Sequence, residues 1–151
     1  MNDLSPSASA DERTSTAAYR LWVDERVRFA DLDPLGHANN KAFLTYAESG
    51  RAGFLFKTGL WELNGRRNVV ARVEIDYLGE LLYPAELRVG VRVLAVGRSS
   101  FTLGIGIFSG ETCAAVAVTV LVRIDGKTRT KVALDDEERA RLEAYRTRPG
   151  R

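Results

Sequence analysis

Residues 29–40 read Phe-Ala-Asp-Leu-Asp-Pro-Leu-Gly-His-Ala-Asn-Asn and gather Asp31, Asp33, the chain's one histidine, His37, and the pair Asn39 and Asn40 around a proline and a glycine. No other segment brings together so many groups able to move a proton or hold a charge. A carboxylate takes up and releases protons, and an imidazole titrates near neutrality. The flanks set where these groups stand. Leu21, Val23, Val27 and Phe29 alternate with Trp22, Asp24, Arg26 and Arg28, which predicts a half-buried strand ending at Asp31. Beyond Asn40, Phe43, Ala47, Gly50 and Phe54 recur at spacings of three or four, the period of a helix. Asn39 is a suitable N-cap, and the first-turn amides after it are left unpaired, ready to hydrogen-bond an oxygen that gains negative charge.

The remaining elements must hold this junction in place. The helix is predicted from Asn40 to about Lys57, followed by a Gly- and Asn-punctuated connection, Thr58 to Asn68. Four alternating runs follow: Val69 to Tyr77, Leu87 to Ala95, Phe101 to Ile107 and Ala114 to Ile124. Gly97-Arg98-Ser99 and Ser109-Gly110-Glu111 are short breaks that make the last three runs antiparallel neighbours. Asp135 stands three residues before Glu138, a capping-box pattern for a short terminal helix through about Tyr145. The fold class is therefore α+β, a single domain with one long central helix wrapped by a five-stranded antiparallel sheet and a short C-terminal helix. Ala42, Ala47, Gly50, Ala52 and Gly53 keep the helix slim so that a curved sheet can approach it, and Phe43, Tyr46, Phe54, Leu55 and Phe56 fill the rest. Residues 1–18 lack apolar periodicity and are expected to be a tail outside the fold, with the domain spanning 19–146 and a flexible end at 147–151.

Composition narrows the chemistry. A chain of 151 residues suffices for one core without staples. The lone Cys113 forms no internal disulfide, and one Cys with one His makes no ordinary zinc site, so the expectation is a metal-free protein of a reducing compartment with no cofactor. A net charge of +2 from 22 basic and 20 acidic side chains gives no bulk attraction to nucleic acid. The apolar stretch Ala114 to Val122 is far short of the roughly 20 residues that cross a bilayer. With no basic-then-apolar leader at the N-terminus, a cytoplasmic protein is expected.

A strand ending in Asp-x-Asp-Pro-x-Gly-His-x-Asn-Asn, a helix carrying Phe43-Leu-Thr-Tyr46-Ala-Glu48-Ser-Gly-Arg51, and a four-strand meander together resemble the hotdog-fold acyl-CoA thioesterases of the 4-hydroxybenzoyl-CoA thioesterase type. The resemblance spans roughly residues 20 to 145. It implies that Asp33, directly before the proline, is the catalytic carboxylate, that the Asn40 backbone amide polarises the thioester carbonyl, and that His37 belongs to the same motif. It also implies a homodimer or homotetramer, sheets joined side by side, with acyl-CoA in a groove between subunits. Pantetheine would run along Val70, Ala71, Arg72 and Val73, and the turn Arg98-Ser99-Ser100 would sit near the nucleotide, although Arg98 is its only base. The acyl pocket would be shaped by helix residues such as Phe43, Tyr46 and Ala47 and by side chains of the partner subunit.

Thioester hydrolysis needs a carboxylate to activate water or to attack, and donors where the oxyanion forms. Asp33 is open to both roles, and also to a plain one, an Asx-type turn residue that caps loop amides. Asp31 reads as structural, Asn39 as a cap, Glu48 and Arg51 as an ion pair. Glu48 is the fallback carboxylate. Cys113 reads as packing, and Gly104-Ile-Gly106 lies within a strand, so it is no dinucleotide loop. Arg123, Lys127, Arg129 and Lys131 read as a solvated edge. Two other functions remain beside the hydrolase: an enoyl-CoA hydratase or dehydratase, whose usual Asp-x-Asn-Pro-x-His spacing differs from this one, and a non-catalytic acyl-CoA-binding module.

Overall fold

The structure, a computed structural model, describes residues 11–146. Five strands, β1 (Leu21–Val27), β2 (Arg66–Tyr77), β3 (Ala85–Val96), β4 (Ser100–Ser109) and β5 (Thr112–Asp125), join α1 (Asn40–Thr58) and α2 (Asp136–Glu143). They form one sheet in the order β1-β3-β4-β5-β2, with every neighbouring pair antiparallel. The predicted class and element order hold. α1 connects the two edges of the sheet and lies across its concave face, its buried Phe43, Tyr46, Ala47 and Phe54 meeting Val89, Val91, Leu103 and Ile105 in one core.

The small helix residues have the expected purpose. A Cβ added at Gly50 would lie 2.4 Å from Val89 Cγ1, and one at Gly53 would lie 2.5 Å from Val23 Cγ2, distances no packed core accommodates without a shift. α1 ends at Gly59, whose φ of +73° is the left-handed conformation that a helix C-cap favours.

Three expectations are corrected. β1 stops at Val27, not Asp31, because Phe29–Asp31 wind into a 3-10 turn closed by Arg28 N–H donating to Asp31 Oδ2 at 2.8 Å. On β5, Ala114, Val116 and Ile124 are buried and Val118, Val120 and Val122 partly buried on one side, while Ala115, Ala117, Thr119 and Leu121 are fully buried on the other. Arg123 is not on a solvated edge. β5 is interior to the sheet, and the Arg123 side chain is 0% exposed, paired with Glu138 of α2 and donating to Leu60 O at 2.8 Å and Asn68 Oδ1 at 3.0 Å. Lys127, Arg129 and Lys131 are exposed as expected.

Residues 11–18 also differ from the expected tail. Glu12–Thr14 and Thr16–Ala18 form 3-10 turns, and they lead Tyr19 onto the outer face of the sheet. There its ring meets Trp22 and Phe108 edge-on, with centroids 5.8 and 5.6 Å away. Gly90 and Gly106, paired across β3 and β4, make the notch: a Cβ on either would sit 2.6 Å from the Tyr19 ring. This explains Gly104-Ile-Gly106 as a packing feature in part. The expected tail at 1–10 and flexible end at 147–151 lie outside the described residues. Cys113 packs beside this aromatic cluster, and burial pushes its thiol above the usual range, away from the reactive thiolate form.

Candidate active site

The segment between β1 and α1 is a loop with a closed neck. Asn39 N–H donates to Asp31 O at 2.9 Å and Asp33 N–H to His37 O at 2.8 Å, with Leu32 and Ala38 bridged between them. The tip turns at Gly36, whose φ is +85° and whose N–H donates to Asp33 O at 3.0 Å. A left-handed residue is needed there, and glycine supplies it without strain. Asp33 is then held by its own loop: Oδ1 accepts Leu35 N–H at 2.9 Å and His37 N–H at 3.2 Å. Its other oxygen, Oδ2, meets no donor among the described residues. The turn reading and the catalytic reading of Asp33 thus fall on different atoms of one carboxylate.

The helix start is divided in the same way. Asn39 Oδ1 accepts Ala42 N–H at 2.9 Å, and Asn39 Nδ2 donates to Asp31 O at 2.8 Å, so the predicted N-cap is in place. The Asn40 N–H has no acceptor among the described residues, and Asn40 is exposed. Its carbonyl takes a bond from Tyr77 Oη at 3.3 Å, and the Tyr77 ring stands edge-on to Phe43 at 5.3 Å. The N-terminus of α1 therefore lies against the end of β2, the longer of the two sheet edges.

His37 is half-buried, its Nε2 3.2 Å from Glu80 Oε2. The loop after β2 delivers Glu80, docked by Ala38 N–H donating to Leu81 O at 2.8 Å. Around this end of the sheet stand exposed Phe29, Leu35, Leu78, Leu82 and Tyr83. Sequence reasoning misses Tyr77 and Glu80. No local spacing joins them to the loop, since they reach it only through the sheet.

The other predicted contacts are distributed along the sheet. Val70, Ala71, Arg72 and Val73 are all exposed on β2, and the register with β5 slips between Val70 and Arg72. Such a bulge leaves the main chain of Ala71 free of the ladder. Beside Val70, a groove of about 300 Å³ is lined by Arg51, Leu55, Trp61, Arg67, Asn68 and Leu121, among others. Arg98-Ser99-Ser100 lies at the far end of the sheet, where Ser100 pairs with Val122 and Arg66 with Asp125, whereas Tyr77 pairs with Ala115 at the Asp33 end. Arg66 to Tyr77 spans about 36 Å at the ordinary strand rise, so one chain does not bring Arg98 to Asp33. The carbonyls of this turn dock neighbours instead: Arg98 O accepts Leu134 N–H and Ser99 O accepts Arg123 N–H, each at 2.8 Å. Phe43, Tyr46 and Ala47 are buried in the core of the single chain. Glu48 and Arg51 lie 3.7 Å apart, as expected of neighbours on one helix face.

Among the described residues, no group of three or more His, Cys, Asp or Glu is placed to hold a metal ion, and no helix is long and apolar enough to cross a membrane.

Comparison with known proteins agrees with this architecture. The sequence pattern of the thioesterase-like superfamily matches residues 27–142. The uncharacterized protein YsmA of Bacillus subtilis is 36% identical over 129 residues, 83% of this chain and 86% of that protein. A thioesterase from Thermus thermophilus, solved in complex with coenzyme A and Zn, is 37% identical and superposes with a TM-score of 0.77 over 87% of this chain and 98% of its own. The probable thioesterase YbaW of Escherichia coli is 25% identical, with a TM-score of 0.74 over 83% of this chain and 98% of its own. These neighbours share the helix cradled by an antiparallel sheet, the hotdog fold. The chain belongs to the thioesterase-like superfamily.

Proposed function

We propose that this protein hydrolyses acyl-CoA thioesters to the free acid and CoA. The observation that carries the reading is the division of labour on Asp33: Oδ1 is committed to the loop amides of Leu35 and His37 while Oδ2 has no donor among the described residues. An oriented carboxylate with one open oxygen, placed just before an open helix N-terminus, suits addition of water to a carbonyl. In the base route, Asp33 Oδ2 takes the proton of the attacking water, the carbonyl oxygen gains charge against the Asn40 N–H, and collapse expels the CoA thiolate, which takes up that proton. In the nucleophilic route, Oδ2 attacks the carbonyl carbon, the thiolate leaves, and water then cleaves the resulting anhydride. His37, beside Glu80, would border the leaving sulfur. The relative from T. thermophilus, solved with coenzyme A, supports a CoA thioester as the substrate.

The active unit in this reading is a homodimer joined through β2. That strand is 12 residues long, against 7 for the β1 edge, and Val70, Val73 and Tyr77 are exposed along it. A long exposed edge strand is a pairing template. Two-fold antiparallel pairing reverses one sheet relative to the other, so the Arg98 turn of a second copy would arrive at the end of the sheet that carries Asp33. Substrate would then lie along Val70 to Val73, between subunits.

The test is a thioester panel spanning acyl length and aromaticity, with thiol release followed for the native protein and Asp33→Asn and binding followed by calorimetry. The expected loss is at least about a hundredfold in turnover with binding retained, in the range that removal of a positioned catalytic group costs. Equal rates would contradict the role of Asp33. Binding without turnover in the native protein would replace the hydrolase by a binding module, and hydration of an enoyl-CoA would replace it by the hydratase.

A further inference from the structure

Asp31, two residues before the candidate carboxylate, is the most heavily used acceptor in the junction. Its Oδ2 accepts Tyr46 Oη–H at 2.6 Å and Arg28 N–H at 2.8 Å. Its carbonyl oxygen accepts both the backbone N–H and the side-chain Nδ2 of Asn39, at 2.9 and 2.8 Å. Tyr46 is 0% exposed and sits in the second turn of α1. One residue therefore ties three parts together: the end of β1 through Arg28, the body of α1 through Tyr46, and the first turn of α1 through Asn39, whose Oδ1 holds Ala42 N–H.

We infer that Asp31 is a positioning residue, which with Tyr46 fixes the angle between the loop carrying Asp33 and the start of α1 and so holds the Asn40 N–H in place relative to the Asp33 carboxylate. Asp31 touches neither group directly. Its backbone oxygen closes the neck of the loop at Asn39, immediately before Asn40, and its carboxylate anchors that neck to a ring buried in the core. The Tyr46 hydroxyl remains a donor because burial, and then its bond to Asp31, push its pKa upward. Without the tie, no side chain joins the Asp31 end of the loop to the body of α1, and what remains is the neck itself and the contacts of Ala38 and Asn40 with Leu81 and Tyr77; a displacement of about 1 Å between reacting groups can cost a hundredfold in rate.

The catalytic arm of this inference rests on the hydrolase reading, and the structural arm does not. The test compares Tyr46→Phe, Asp31→Ala and Asp31→Asn with the native protein by steady-state kinetics well below their thermal midpoints, together with backbone amide NMR of Tyr46→Phe. Expected for Tyr46→Phe and Asp31→Ala is a kcat about tenfold or more lower with KM within about twofold, because the loss falls on alignment rather than on binding. Asp31→Asn, whose amide oxygen accepts the same two bonds, should recover most of kcat. The double variant Asp31→Ala/Tyr46→Phe should lose no more than Asp31→Ala alone. In the NMR arm, the Asp33, Gly36, Asn39 and Asn40 amides should shift in Tyr46→Phe. Unmoved amides there would overturn the inference, and so would a lowered melting temperature with unchanged kcat. If the native protein turned over no thioester, the hydrolase reading would fall while the amide shifts still decided whether Asp31 and Tyr46 set this geometry. If Asp31→Ala did not fold, Tyr46→Phe alone would decide.

Discussion

At the start of α2, Asp135 Oδ1 accepts Glu138 N–H at 2.8 Å while Glu138 Oε1 accepts Asp135 N–H at 2.9 Å, and Arg66 and Arg123 then close over both carboxylates. At the start of α1, Asn39 caps the Ala42 N–H, but its own N–H goes to the Asp31 carbonyl rather than back to a helix side chain, because the position three residues on is an alanine where α2 has a glutamate. The first terminus carries a reciprocal box and a buried ionic cluster, whose Arg66 Nε and Arg123 Nη2 are buried side-chain atoms without a partner among the described residues. The second keeps an amide and a carboxylate oxygen open, at Asn40 and Asp33. Both ends use the same capping chemistry and leave the first helical N–H, that of Asp136 or of Asn40, without an acceptor among the described residues, so it is the neighbouring groups that separate them: a closed ionic cluster at α2, a carboxylate with an open oxygen at α1.

If this contrast is right, damage at the two ends should have different signatures. The largest effect on stability is expected for Glu138→Ala, which strands the fully buried Arg123 guanidinium. Breaking one side of a buried pair costs about 3–5 kcal/mol, read as a lower denaturant midpoint, with turnover per folded molecule unchanged. Gly50→Ala comes next, since its Cβ meets Val89 at 2.4 Å. Overpacking of this kind costs about 1–3 kcal/mol, also measured by denaturation. Asn39→Ala removes one cap bond and one bond to Asp31, worth about 1 kcal/mol of stability. Unlike Glu138→Ala it should also lower turnover, so a stable, fully active Asn39→Ala would break the contrast.

The smallest effect is one of pH. Tyr46 is raised by burial and by Asp31, so its folded pKa lies above its unfolded value. The stability it contributes is complete below the ordinary tyrosine pKa of about 10 and is lost as pH climbs past it. Tyr46→Phe should flatten the loss of stability between about pH 9 and pH 11 relative to the native protein, and an identical slope would show that Tyr46 does not carry it.

What can be read from the sequence is what depends on near neighbours. Asn39 as N-cap, the Asp135 and Glu138 box, the Glu48 and Arg51 pair and the existence of the five strands follow from spacing within a few residues, and each is found in the structure. The features that escape such reading depend on distant approach. Arg123 resembles the exposed bases that follow it, because nothing local announces that Glu138 will fold over it. Tyr46 resembles pocket lining, because helix periodicity gives its face but not the Asp31 carboxylate waiting there. Alternation overextends β1, since apolar Phe29 continues the pattern while the Asp31 carboxylate turns the chain away. The candidate site itself is half legible: the loop motif marks Asp33, His37 and Asn40, whereas Glu80 and Tyr77 arrive from strands and loops that only the sheet brings near.

The most direct measurement is a crystal structure with a non-hydrolysable thioether or ketone analogue of an acyl-CoA. The account predicts a subunit interface along β2, the ketone oxygen about 2.7–3.1 Å from the Asn40 nitrogen, and Asp33 Oδ2 facing the carbonyl carbon directly or through one water. An analogue bound away from this junction, or an Asp33 whose second oxygen is occupied by a protein donor in the assembled molecule, would contradict it.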